Sequence, residues 1–62
     1  MTTIKYKFPI GVWVVAIYDG SNDYFLGKIV NYSYDQDNYP MYGIDCNGKI
    51  TYHYETTIKV LI

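Results

Sequence analysis

The chain of 62 residues contains no Arg, one Cys, and only four residues drawn from Ala, Leu and Glu. Each shortage excludes something. Five Lys stand against six carboxylates for a net charge of −1. That balance, with no bidentate guanidinium available for phosphate or guanine, argues against a nucleic-acid binder. It argues equally against an acidic mimic of DNA. Cys46 has no partner for an intrachain disulfide, which points to a reducing, cytoplasmic setting. Cys46 and His53 are also too few for a closed zinc site, so no metal and no cofactor is expected, and Cys46 reads as a small hydrophobe. The longest apolar run, Val12 to Tyr18, is seven residues. A membrane span needs about 20. The opening Met1-Thr2-Thr3-Ile4-Lys5 lacks the apolar segment of a signal peptide. The scarcity of Ala, Leu, Glu and Arg leaves little to propagate a helix.

Aromatic and β-branched residues fill the space left. Nine Tyr, eight Ile and two Phe exclude a solvated, disordered coil. The length allows one domain and no cleft between lobes. A domain this small buries only about 60% of its unfolded-chain surface. The sequence starts with Met and shows no linker, tail or repeat, so it reads as a complete small protein. Ile, Lys, Asn and Tyr supply 26 of its 62 residues. That bias fits an AT-rich genome, such as those of many phages and some Gram-positive bacteria, and with it a small phage or mobile-element factor.

Turn signals punctuate the chain at short intervals, which predicts an all-β fold of several short strands. They fall at Pro9 and Gly11, at Asp19-Gly20-Ser21-Asn22-Asp23, at Asp35-Gln36-Asp37-Asn38 and at Asn47-Gly48. The expected strands are Val12 to Tyr18, Tyr24 to Tyr32, Tyr39 to Cys46 and Lys49 to Glu55. A short 3₁₀ turn at Thr56 to Ile58 and a closing strand at Lys59 to Leu61 follow. Gly27 is expected to mark a bulge or bend. Asn47-Gly48 is the strongest hairpin signal, since both residues tolerate positive φ. Residues 1–10 form an N-terminal segment, in which Ile4 to Phe8 either adds an edge strand or stays loose. Residues 11–62 form the single domain.

Two strands carry further information. In the fourth, Ile50, Tyr52 and Tyr54 share one face, while Thr51, His53 and Glu55 share the other, where a solvated histidine is expected. In the first, both faces are apolar: Val14, Ala16 and Tyr18 on one, Trp13, Val15 and Ile17 on the other. A sheet with one wet face should show a polar alternate. Either the N-terminal segment or a long Tyr folds over Trp13, Val15 and Ile17, or those residues form an interface with a partner or a second copy.

The stretch Gly11-Val12-Trp13-Val14-Val15-Ala16-Ile17-Tyr18-Asp19-Gly20, with Tyr24-Phe25-Leu26-Gly27-Lys28-Ile29, resembles the opening hairpin of Tudor and chromo-barrel domains. Thr57-Ile58-Lys59-Val60-Leu61 resembles their last turn and strand. The resemblance covers residues 11–61 and implies a small five-stranded Src-homology-3-like (Tudor-like) barrel. In the methyl-lysine readers of that family an aromatic cage holds the cation. Carried over, Tyr18 is the first wall and Phe25 or Tyr24 the second, while the later walls fall on Asp45 and Asn47, which are not aromatic. Gly27-Lys28-Ile29-Val30-Asn31-Tyr32, Tyr42-Gly43-Ile44-Asp45 and the segment from Gly48-Lys49-Ile50 to Leu61 are also similar in spacing to plasmid type II dihydrofolate reductases. The positions of that family's catalytic Gln-Ile-Tyr run and Lys hold Thr51-Tyr52-His53 and Ala16 or Ile17 here, so the reductase chemistry is missing.

No other catalytic constellation is present. His53 is the only imidazole, and Asp19, Asp23, Asp35 and Asp37 read as turn residues bonding local amides. A five-stranded barrel buries roughly half of nine Tyr rings, and the surplus stands outside. The expected function is therefore non-enzymatic binding of a protein or peptide through an aromatic surface. Its candidate residues are Tyr18, Tyr24, Phe25, Tyr32, Tyr34 and Tyr39, with Trp13, Val15 and Ile17 as an interface. The alternatives are stacking on a single nucleic-acid strand and peptide reading of the methyl-lysine type.

Overall fold

A computed structural model describes residues 3–17 and 23–61. Five antiparallel strands form one sheet: β1 (Trp13–Ile17), β2 (Tyr24–Tyr34), β3 (Pro40–Cys46), β4 (Lys49–Tyr54) and β5 (Ile58–Val60). A 3₁₀ turn, Glu55–Thr57, leads into β5. The strand order is β4-β3-β2-β1-β5, so β4 and β5 are the two edges and no ladder joins them. The expected all-β architecture and strand order of events along the chain are present; the sheet is open. Ile4 to Phe8 adds no strand.

Local chemistry explains the connections. Asn47 (φ 55°) and Gly48 (φ 86°) both occupy the left-handed region, as a type I′ hairpin requires. Asp45 braces this turn, its carboxylate accepting the Gly48 N–H at 3.0 Å. The longer β2–β3 turn is organised by Asp35, whose Oδ1 accepts the N–H groups of Asp37 and Tyr39, each at 2.9 Å. Asn38 supplies the positive φ there, at 63°.

The register shift in β2 lies between Ile29 and Asn31, not at the expected Gly27. Gly27 serves another purpose. A Cβ at this position would overlap Ile44 Cγ2 and lie 2.9 Å from the Asp45 carbonyl oxygen. The glycine lets β3 approach β2 closely at this point.

The core sits on one face. Val14, Ala16, Ile29, Tyr42 and Ile44 are completely buried, and Ile58 nearly so. The N-terminal segment covers this inner face. Tyr6 and Phe8 pack against the core, and the Tyr6 ring stacks on Tyr32 with centroids 4.1 Å apart. Both rings stand edge-on to Tyr42, at 5.6 Å. The buried Tyr42 hydroxyl accepts the Lys7 N–H at 2.9 Å and the Phe8 N–H at 3.3 Å, and donates to the Glu55 carboxylate. The segment is further held by Tyr6 donating to the Ser33 carbonyl (2.6 Å) and Tyr32 to the Phe8 carbonyl (2.7 Å). Burial, followed by the bond to Glu55, pushes the Tyr42 phenol up to about 12. It therefore keeps its donor proton across the physiological range.

Candidate functional site

Register decides which residues reach the surface. Because Asn47-Gly48 is a two-residue turn, Asp45 pairs with Ile50, Ile44 with Thr51 and Tyr42 with His53. Directly opposed residues share a face. Ile44 and Tyr42 belong to the core, so Thr51 and His53 are drawn inward. Ile50, Tyr52 and Tyr54 are turned outward. The polar face of β4 is thus the inner one, and His53 is half-buried instead of solvated. Its ring lies 5.2 Å from that of Phe25, and its Nε2 is 2.7 Å from Thr51 Oγ1.

Burial lowers the His53 pKa below its ordinary 6.5. A histidine that is harder to protonate folded than unfolded takes its proton preferentially in the unfolded chain. Stability is then expected to fall as pH drops through and below 6.5. Urea unfolding at pH 7.5 and pH 5.5 measures this slope, and His53→Gln should flatten it. An unchanged slope in the variant would assign the acid sensitivity to carboxylates instead.

The outer face gathers the residues that the register turns away from the core. One row across the sheet runs Trp13, Lys28, Asp45 and Ile50. The next runs Lys59, Val15 and Leu26, and a third pairs Ile17 with Tyr24. Trp13 and Leu26 are each 51% exposed, and Tyr24 is 70% exposed. The N-terminal segment covers the opposite face, so among the described residues nothing folds over this apolar surface. The Lys28 ammonium lies 5.8 Å from the Trp13 ring centroid. Tyr52 lies beside Gly43, where a Cβ would meet the ring at 3.0 Å, and Asn31 Nδ2 donates to its hydroxyl at 3.3 Å.

A second feature lies at one end of the sheet, between the β2–β3 turn and the 3₁₀ turn. A groove of about 480 Å³ is walled by Tyr39, Pro40 and Tyr54, with Asp35, Asp37 and Glu55 around it. Asp35 Oδ2 accepts the Tyr54 hydroxyl at 2.8 Å. The Tyr39 N–H above all, with the Tyr54 hydroxyl and the Asp37 N–H, holds the Asp35 carboxyl below its usual range.

The candidate residues read from sequence fall into distinct classes. Tyr24, Tyr34 and Tyr39 are well exposed. Tyr32 is at the surface, yet its ring and hydroxyl are both committed to the N-terminal segment. Phe25 is half-buried against His53. Tyr18 lies outside the described residues. The positions carried over from the methyl-lysine cage are not brought together by the described residues: Phe25 faces inward on His53, and Asp45 and Asn47 are engaged in the hairpin turn. Of the interface set, Trp13 and Ile17 are exposed and Val15 is partly covered. Of the described tyrosines only Tyr42 is fully buried, fewer than the half expected. Residue-type counting passed over Leu26, Ile50, Tyr52 and Tyr54; the turn-fixed register of Asn47-Gly48 is the signal that finds the last three.

Among the described residues no group of three or more His, Cys, Asp and Glu side chains is placed to hold a metal ion. No helix there is long and apolar enough to cross a membrane. No family model, curated protein or solved structure matches the chain.

Proposed function

We propose that this chain is a non-enzymatic interaction domain that binds a protein partner through its aromatic and apolar surface. The observation that carries the reading is the outer sheet face, where Trp13, Ile17, Tyr24 and Leu26 stand exposed on the adjacent strands β1 and β2. Single exposed apolar residues are ordinary, but a contiguous set marks an interaction surface. The tyrosines suit the task, being rigid and amphipathic. The strand order, with a 3₁₀ turn before the last strand, supports a Src-homology-3-like scaffold of the Tudor kind. The free Cys46 supports a cytoplasmic setting.

The test compares capture by wild-type protein and by Leu26→Glu, with circular dichroism confirming that both are folded. Leu26 is half-exposed, so the substitution spares the core. Loss of a central contact typically costs 2 kcal/mol or more, so the variant should bind about 30-fold more weakly. Light scattering of the isolated protein identifies the case in which the partner is a second copy. Dissociation of such a dimer by Trp13→Lys would place its interface on this face. Capture that is equal in wild type and variant, or of nucleic acid released steeply by salt, would overturn the proposal.

A further inference from the structure

We infer that the groove between the β2–β3 turn and the 3₁₀ turn receives a lysine or arginine side chain from a peptide segment of the partner. This rests on the reading of the chain as a protein-binding domain and adds the chemistry of what is bound. Tyr39, Pro40 and Tyr54 offer an apolar wall to the aliphatic stem, and Asp35, Asp37 and Glu55 surround it with carboxylates. Long cationic side chains behave in this way, burying the stem and leaving the charged head among polar groups. An aromatic face adds cation–π attraction. None of the chain's five lysines lines the groove. Its charge is therefore uncompensated by the residues that form it, and a cationic occupant is the complementary one. A bare metal ion fits less well, because the carboxylates do not converge as a ligand set among the described residues. The volume, about 480 Å³, accommodates a side chain with its flanking backbone.

The carboxylates are not equivalent. Asp35 is committed to the turn and to Tyr54, and Glu55 to Tyr42. The Asp37 side chain makes no hydrogen bond among the described residues. Asp37 is therefore the carboxylate free to meet an incoming cation, and the one whose neutralisation should leave the fold intact.

Amide chemical-shift titration provides the test, with N-acetyl-lysine methylamide and N-acetyl-arginine methylamide as cationic probes and N-acetyl-norleucine methylamide as the neutral control. The cationic probes should move resonances of residues 35–40 and 54–56, and the control should not. Asp37→Asn should weaken the cationic response about threefold or more while the remaining spectrum is preserved. Equal shifts from the neutral probe, shifts confined to the Trp13 and Leu26 face, or an unchanged response in Asp37→Asn would each overturn the inference. The two readings fail separately. A partner captured equally by wild type and Asp37→Asn, but lost by Leu26→Glu, removes the groove and leaves the interaction domain. Cationic probes that bind where no protein partner is captured support the groove chemistry and remove the protein-binding role.

Discussion

Replacing Tyr42 by phenylalanine is expected to destabilise the domain by about 2–3 kcal/mol, although the substitution removes a single oxygen. That oxygen is the hub of the N-terminal segment's attachment. It accepts the N–H groups of Lys7 and Phe8 and donates to Glu55. Its loss takes one partner from two backbone donors and leaves the Glu55 carboxylate without its phenol. An unmet buried polar group costs more than an average hydrogen bond contributes, and bonds to charged groups lie at the upper end of the scale. The ring itself stays, so the apolar contacts with Tyr6, Phe8 and Tyr32 are retained and no large cavity opens. In a domain of this size the loss corresponds to a melting-temperature decrease on the order of 10 °C or more. Urea unfolding checks the free energy. Hydrogen exchange checks the mechanism, because protection at Lys7 and Phe8 should fall before that of β2 and β3. A decrease below about 0.5 kcal/mol would show that the aromatic cluster alone holds the segment.

The parts of this fold that were legible in the sequence are those governed by neighbouring residues. Asn47-Gly48 announces a hairpin because its backbone conformation depends on the two residues themselves, and both adopt the positive φ expected of them. Where the strand ends are described, their limits follow the turn residues to within one or two positions, the largest difference being β2, which continues two residues further to Tyr34. What misled was the assumption that polar side chains face water. In β4, alternation alone assigns Thr51, His53 and Glu55 to the outside. The hairpin register assigns Thr51 and His53 to the inside, because it pairs them with Ile44 and Tyr42 on the buried face of β3. Register outranks composition when a two-residue turn fixes it. The outer apolar face follows from that inversion. It was half-legible, through Trp13, Val15 and Ile17, and the remainder depended on a pairing that spans three strands. The groove was not legible at all. Its walls come from the start of β3 and the end of β4, separated by 14 positions between Pro40 and Tyr54, and proximity at that separation is a tertiary fact.

Gly27 and Gly43 provide the sharpest contrast between two residues of the same type, since each lies buried in a strand with no room for a Cβ. At Gly27 the added methyl would overlap Ile44 Cγ2, part of a fully buried core side chain, and stand 2.9 Å from the Asp45 carbonyl oxygen. Neither neighbour can move freely: one is a fully buried core side chain, and the other belongs to the backbone of β3, which is paired on both sides. Overpacking a close-packed interior costs about 1–3 kcal/mol, and displacing backbone as well puts Gly27→Ala at the top of that range. At Gly43 the obstacles are Asn31 and Tyr52, two side chains on the outer face. Tyr52 is about half exposed and can swing outward, and the Asn31 amide can turn aside at the cost of its exposed bond to the Tyr52 hydroxyl, with no backbone displaced. Gly43→Ala should therefore cost less, about 1 kcal/mol, and disturb the Tyr52 environment more than the core. Paired urea unfolding curves distinguish the two sites, with Gly27→Ala losing about 2 kcal/mol more than Gly43→Ala. Equal losses would mean that the tight approach of β2 to β3 at Gly27 relaxes as readily as a surface side chain.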